Sequence, residues 1–170
     1  MSVADDRVLP NNLDAERLLL GAALLDQDAW ARIASSVVAE DFYRDAHRRI
    51  FEAMQRVNES GAMIEITQLC DALRVTGVLD EIGGPSYIAS LLDGLPRHAY
   101  VEQFAAIVRE KSRLRSTIMA ANRIISAAYS EDDASVVIDD GVRSLLSIAG
   151  SSANVISTLG AAATEYLAAL

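Results

Sequence analysis

The chain has 170 residues, 51% of them hydrophobic but only 5% aromatic, with three prolines and nine glycines. That length suits one domain, or one domain plus an appendage, and can bury a real core, while so few turn formers disfavour a many-turned β-sandwich. A formal net charge of −9 and a pI of ≈ 4.6 oppose autonomous wrapping of nucleic acid and binding to anionic membranes, since both need clustered basic residues.

Leu, Ile, Val and Ala are left to do most of the packing, and their spacing predicts an all-α fold. Residues 1–9 read as a flexible N-terminus. Asn11-Asn12 then offers an N-cap, with Asp14 and Glu16 in the first turn to complement the helix dipole, and a helix is expected from Leu13 to Leu25. A short second helix follows from about Gln27 to Val37, with Trp30, Ile33 and Val37 on one side. Asp41-Phe42-Tyr43 forms a corner. Ala46, Ile50, Phe51, Met54 and Val57 recur at steps of three and four and predict a third helix, closed by Gly61. Thr67 is expected to cap the next helix, which carries Leu69, Cys70 and Leu73 and ends at Gly77. Gly83-Gly84-Pro85 finishes a turn and starts a helix with Tyr87, Ile88, Leu91 and Leu92, ended near Gly94 and Pro96.

Between Tyr100 and Tyr129 neither Pro nor Gly interrupts the chain. Tyr100, Phe104, Ile107, Leu114, Ile118, Ala121, Ile125 and Ala128, with Lys111 filling the gap, keep the three–four alternation of a helix that packs along its length against another. Such a helix is ~45 Å long, against a radius of gyration near ~13 Å for a domain of about 100 residues, so it is expected to project. Ser130 to Asp133 is a turn and cap. A return helix from Ala134 to about Ala149 places Ile138, Val142, Leu145 and Ala149 on one face and completes an αα-hairpin. Gly141 within it costs ~1 kcal/mol relative to Ala, which points to close packing or a local weakness. Gly150 to Asn154 reads as a linker, and Val155 to Leu170 as an amphipathic segment that stops abruptly, as at a truncation. The expected organisation is therefore residues 1–9 as a flexible N-terminus, 10–97 as a globular head, 98–150 as a projecting antiparallel hairpin, and 151–170 as linker and linker helix.

No constellation for catalysis emerges. Lys111 is the only lysine and follows Glu110 inside a helical run, so the chain lacks a complete Gly-x-x-x-x-Gly-Lys-[Ser/Thr] phosphate loop. His47, between Tyr43 and Phe51, reads as a packing or hydrogen-bonding residue, and His98 lies in a turn. Two distant histidines and one cysteine give no metal-ligand spacing. Asp80-Glu81, Glu131-Asp132-Asp133 and Asp139-Asp140 read as solvated turns and caps, and Gly83-Gly84 as a tight turn rather than an anion site. With Cys70 alone no intrachain disulfide forms, which suits the cytosol. The first residues, MSVADDRVLP, carry no signal pattern, and no apolar run approaches the ~20 residues of a membrane span. A soluble cytoplasmic protein with no membrane partner is expected.

The order of landmarks is specific: Pro10, Ala15-Glu16, Leu20-Gly21, Asp41-Phe42-Tyr43, His47, Ile50-Phe51, Gly61, Thr67, Gly77, Leu79, Ile82-Gly83-Gly84, Tyr87, Tyr100, Ile107-Val108 and Lys111. Over roughly residues 9–150 this series resembles the N-terminal domain of the DnaB-type replicative DNA helicases of bacteria and their phages. Two departures stand out: Glu65-Ile66-Thr67 in place of an Asp before Val-Thr-Val, and Gly141 where relatives carry a good helix former.

The resemblance implies a helical head and hairpin that form a collar: hairpins pair into dimers, and three dimers assemble above six motor domains. The collar is also where the primase's C-terminal domain docks. Homo-oligomers from dimer to hexamer and primase are thus the expected partners, DNA being met only weakly or through the motor. The chain itself is expected to hold no cofactor, ATP and Mg²⁺ belonging to the motor domain. Tyr100, Phe104, Ile107, Lys111, Leu114, Ile118, Ile125, Val142 and Leu145 are the candidate self-association residues, since one short return helix cannot cover the long one. Lys111 either fixes register or snorkels to solvent. The Arg109, Arg113 and Arg115 stripe reads as ordinary pairing with residues such as Glu110 or an acidic partner subunit, with a primase surface or a DNA strand as alternatives. Residues 155–170, through Leu159, Tyr166, Leu167 and Leu170, look like the linker helix that docks on a neighbouring motor domain. The alternative is a non-catalytic adaptor or a primase helicase-binding domain of similar fold, against which the landmarks' place near Met1 weighs.

Overall fold

The computed structural model describes residues 8–95, 100–130 and 133–150. Among them the fold is all-α, with seven α-helices, one short 3₁₀ turn and no strand. The Asn12 side chain accepts the Ala15 N–H at 3.0 Å and opens α1 (Leu13–Leu25). Asp26 then caps α2 (Gln27–Ala34) by accepting from Asp28 N–H at 2.9 Å. A 3₁₀ turn (Ala39–Asp41) delivers the buried Phe42 to the core. The third helix, α3 (Asp45–Glu59), buries Ile50, Phe51, Met54 and Val57 on one stripe, and Gly61 closes it at φ +78°. α4 (Ile66–Val75) begins one residue earlier than Thr67 allows. Glu65 holds the cap position without a side-chain hydrogen bond, so Thr67 is a first-turn residue and not the cap. Gly83 and Gly84, both at positive φ, turn the chain into α5 (Gly84–Ser90), with Pro85 in its first turn.

Two compact units divide inside the long helix α6 (Val101–Tyr129), between Ser112 and Arg113. In the first unit one core gathers Leu19, Leu20, Trp30, Ile33, Phe42, Phe51, Leu69, Leu73, Ile88 and Leu91, together with Val101, Ala105 and Val108 from α6. Phe51 is the hub of its aromatic part, with ring centroids 5.3 Å from Trp30 and 5.1 Å from Phe42. α1 and α5 meet at Gly21, where a Cβ would lie 2.3 Å from the Leu91 carbonyl oxygen. Only a residue without a side chain permits that approach. The second unit pairs the later turns of α6 with α7 (Ala134–Gly150), whose start is capped by Asp133 accepting from the Ser135 N–H at 2.8 Å. No helix among the described residues is long and apolar enough to cross a membrane.

Candidate functional site: the hairpin face and the buried network of the head

The hairpin arms touch through small residues. A Cβ on Gly141 would sit 3.0 Å from Ile124 Cδ1, so the glycine is the hole into which Ile124 packs, and close packing is the reason for its place in the helix. Arg123 donates to the Ser144 hydroxyl at 3.3 Å one turn along. These two contacts run in opposite directions along the arms, as in an antiparallel pair. Ala120, Ile124 and Ala127 of α6, with Val137, Gly141 and Ser144 of α7, border a cleft of ≈ 290 Å³.

The contact positions also fix what faces outward. Each residue of a helix is rotated about 100° from its neighbour. Ala121 and Ile125 follow the contact residues Ala120 and Ile124 by one, as Ile138, Val142 and Leu145 follow Val137, Gly141 and Ser144. In antiparallel helices the same rotation swings both sets to the same side of the hairpin plane. One apolar face therefore spans both arms. Tyr100, Leu114, Ile118, Ile125, Val142 and Leu145 are between 37% and 64% exposed. Ile138, Met119 and Leu146 add further exposed apolar surface. Phe104 and Ile107 differ: they are partly buried against the head core, and Lys111 is half-buried. Arg109 and Arg113 are exposed, whereas Arg115 is buried. Leu159, Tyr166, Leu167 and Leu170 lie outside the described residues, as does His98.

The head encloses a polar chain that spacing alone does not reveal. Glu16 is 1% exposed, so its task is not that of a solvated first-turn acid. Its carboxylate accepts from the Tyr43 N–H at 2.8 Å, the Arg44 N–H at 3.3 Å and the buried His47 Nδ1 at 2.7 Å. His47 Nε2 lies 2.7 Å from the Tyr87 hydroxyl, which Arg44 Nη1 reaches at 2.9 Å. With Nδ1 protonated, Tyr87 donates to Nε2 and accepts from Arg44, and every hydrogen in the chain finds an acceptor. Burial raises the Tyr87 phenol above its ordinary value, and the positive charges of Arg44 and Arg17 pull against that rise. The network ties α1, α3 and α5 across sequence separations of 31 and 40 residues. His47 is thus a hydrogen-bonding residue of the head. The sequence signal for its partners was their presence among the ordered landmarks, which says that they matter but not that they meet.

Among the described residues no three His, Cys, Asp or Glu side chains gather as a metal site. Cys70 is buried, and burial raises its thiol above the ordinary value. A helical head and an antiparallel hairpin sharing one helix form the architecture of a replicative helicase's N-terminal domain. The chain belongs to the DnaB-like helicase N-terminal domain family, whose model matches residues 8–110. It is 38% identical over 144 residues to the replicative DNA helicase DnaB of Geobacillus stearothermophilus, an alignment that covers 84% of this chain and 32% of the relative. With DnaB of Haemophilus influenzae it shares 37% identity over 142 residues, covering 82% and 30%. The chain thus spans about a third of the length of these curated relatives. The crystal structure of the N-terminal domain of the Mycobacterium tuberculosis DnaB helicase superposes with a TM-score of 0.78 at 29% identity, covering 82% of this chain and 99% of that one. A DnaB-like replicative helicase solved for its interactions with primase gives a TM-score of 0.65 at 25% identity, covering 81% and 31%.

Proposed function

We propose that this chain is a collar domain: it self-associates through the hairpin face, holds the subunits of a replicative helicase in a ring, and offers a docking surface to the primase. The single observation behind this reading is the apolar face that spans both hairpin arms, from Leu114, Ile118 and Ile125 to Val142 and Leu145. Monomeric proteins rarely expose contiguous apolar surface of several hundred Å². A second hairpin laid against it buries matching helical ridges, the means by which helices pair. Dimers built this way are the units of a trimer-of-dimers hexamer. ATP and Mg²⁺ belong to a motor domain elsewhere in such a helicase, as do strand separation and the main contact with DNA. The cytosol is the compartment in which this work takes place. Residues 155–170 serve as the linker helix toward that motor, through Leu159, Tyr166, Leu167 and Leu170.

Family membership and the helicase relatives support this reading over that of a primase tail. The test is size-exclusion chromatography with light scattering. The chain should run above its monomer mass of 18.3 kDa, and Ile118→Asp with Ile125→Asp should return it to the monomer with its helix content unchanged. A wild-type mass of one chain at all concentrations contradicts the proposal. For the partner arm, a primase C-terminal domain added to wild-type chain should co-elute with it.

A further inference from the structure

Several arginines of the head hold carboxylates. Arg32 pairs with Glu102, Arg49 with Asp45 and Glu81, and Arg74 with Asp71. Among the described residues neither Arg17 nor Arg44 pairs with a carboxylate side chain, yet both are fixed. Arg17 Nη1 donates to the Asp93 carbonyl oxygen at 2.6 Å. Arg44 lies 4.8 Å above the Tyr87 ring centroid while donating to the Tyr87 hydroxyl. Tyr87 is in turn held by His47, and His47 by Glu16, both fully buried. Arg17 follows Glu16 on α1, the Glu16 carboxylate accepts from the Arg44 N–H at the start of α3, and Arg17 itself reaches Asp93 just past α5, so both arginines lie where these three elements come together. Arg44 is exposed and Arg17 half-buried, on a protein of net charge −9.

We propose that Arg17 and Arg44, the latter seated on Tyr87, form a preorganised receptor for the carboxylates of an acidic segment of a protein partner. A guanidinium presents paired donors that match a carboxylate, and it binds best where its own side-chain freedom is already lost. Here that freedom is lost to a stack and a carbonyl bond, neither of which neutralises the charge. A nucleic acid fits the spot less well, because its phosphates are held by an array of about six to ten contacts from clustered cations, and the spot offers two guanidinium groups. The patch belongs to the head and is independent of the hairpin face, so it stands or falls separately from the collar reading.

The probe is a fluorescein-labelled peptide of twelve Glu and Asp residues with a labelled dodecathymidylate beside it, both followed by anisotropy in about 50 mM salt. Wild-type chain should bind the peptide. Arg17→Gln and Arg44→Gln should each weaken binding about tenfold, as for loss of one charge-assisted contact. Arg44→Lys should fall between, and Arg56→Gln, an exposed arginine of α3 away from the spot, should match wild type. Thermal melts by circular dichroism show that the variants are folded. Tyr87→Phe, which frees Arg44 from its hydroxyl but keeps the charge, should also weaken the peptide. Absent binding overturns the proposal, as does equal weakening by Arg56→Gln. Tighter binding of the oligonucleotide overturns the protein assignment. A drop in self-associated mass in Arg17→Gln/Arg44→Gln gives the spot to a second copy and overturns it too.

Discussion

Gly21 shows how one missing methyl sets the spacing of two helices. With a Cβ only 2.3 Å from the Leu91 carbonyl oxygen, a backbone atom with nowhere to go, Gly21→Ala forces α1 and α5 apart. Overpacking of this kind costs about 1–3 kcal/mol, or roughly 2–4 °C in melting temperature per kcal/mol for a chain of this size. Differential scanning calorimetry should record that loss. Glu16→Ala should cost more, about 1–3 kcal/mol for each buried donor left unsatisfied, because the Tyr43, Arg44 and His47 donors lose their common acceptor inside the core. Tyr87→Phe leaves that centre intact and should cost no more than about 1.5 kcal/mol. Urea unfolding followed at 222 nm ranks the two, and an equal loss would show that the chain does not work as a graded network. Glu16 also marks where the sequence misleads. An acid in a first turn looks like a dipole partner, and only a fold that brings residue 47 against residue 16 reveals its burial.

At the level of elements the sequence was most legible where spacing and punctuation agree. Leu13–Leu25, the Gly61 and Gly77 stops, the glycine-proline start of α5 and the uninterrupted run to Tyr129 all carry local signals. Thr67 misled because a threonine near a helix start looks like a cap, yet Ile66 already lies in the helix. The hairpin contact was not legible, since which of two neighbouring stripes faces the partner arm depends on rotation. The structure answers with Gly141 against Ile124. Ile124→Val removes the very methyl that a Cβ at 141 would meet. Gly141→Ala should therefore be better tolerated in an Ile124→Val background, with a favourable coupling of at least about 0.5 kcal/mol in a thermodynamic cycle. At the head of α7, hydrogen bonds from Ser135 lower the Asp133 carboxyl below its ordinary value. A depressed carboxyl stabilises the fold above its unfolded value, and that stability is lost as pH falls through the folded one. Amide exchange at Ser135 should accelerate in that acidic window in wild type, and Asp133→Asn should abolish the pH step.

Over the whole molecule, two kinds of surface are kept separate. The head closes one apolar core around Phe51 and braces it with the Glu16–His47–Tyr87 chain. The hairpin closes its own contact by seating Ile124 against Gly141 and leaves Leu114, Ile118, Ile125, Val142 and Leu145 outside. That distribution is poor economy for a lone chain and sound for a subunit, which is why assembly is the reading it supports. The presence of such a stripe was visible in the sequence, although Phe104 and Ile107 at its near end pack partly on the head core.

The most direct test places a photo-crosslinking residue at Ile118 and maps the products by mass spectrometry. Pairing through the hairpin face yields a product of two chains, joined from position 118 to the 114–145 stretch of the second copy, at concentrations where light scattering reports self-association. Products confined to a single chain, or two-chain products that reach only the head, would contradict it.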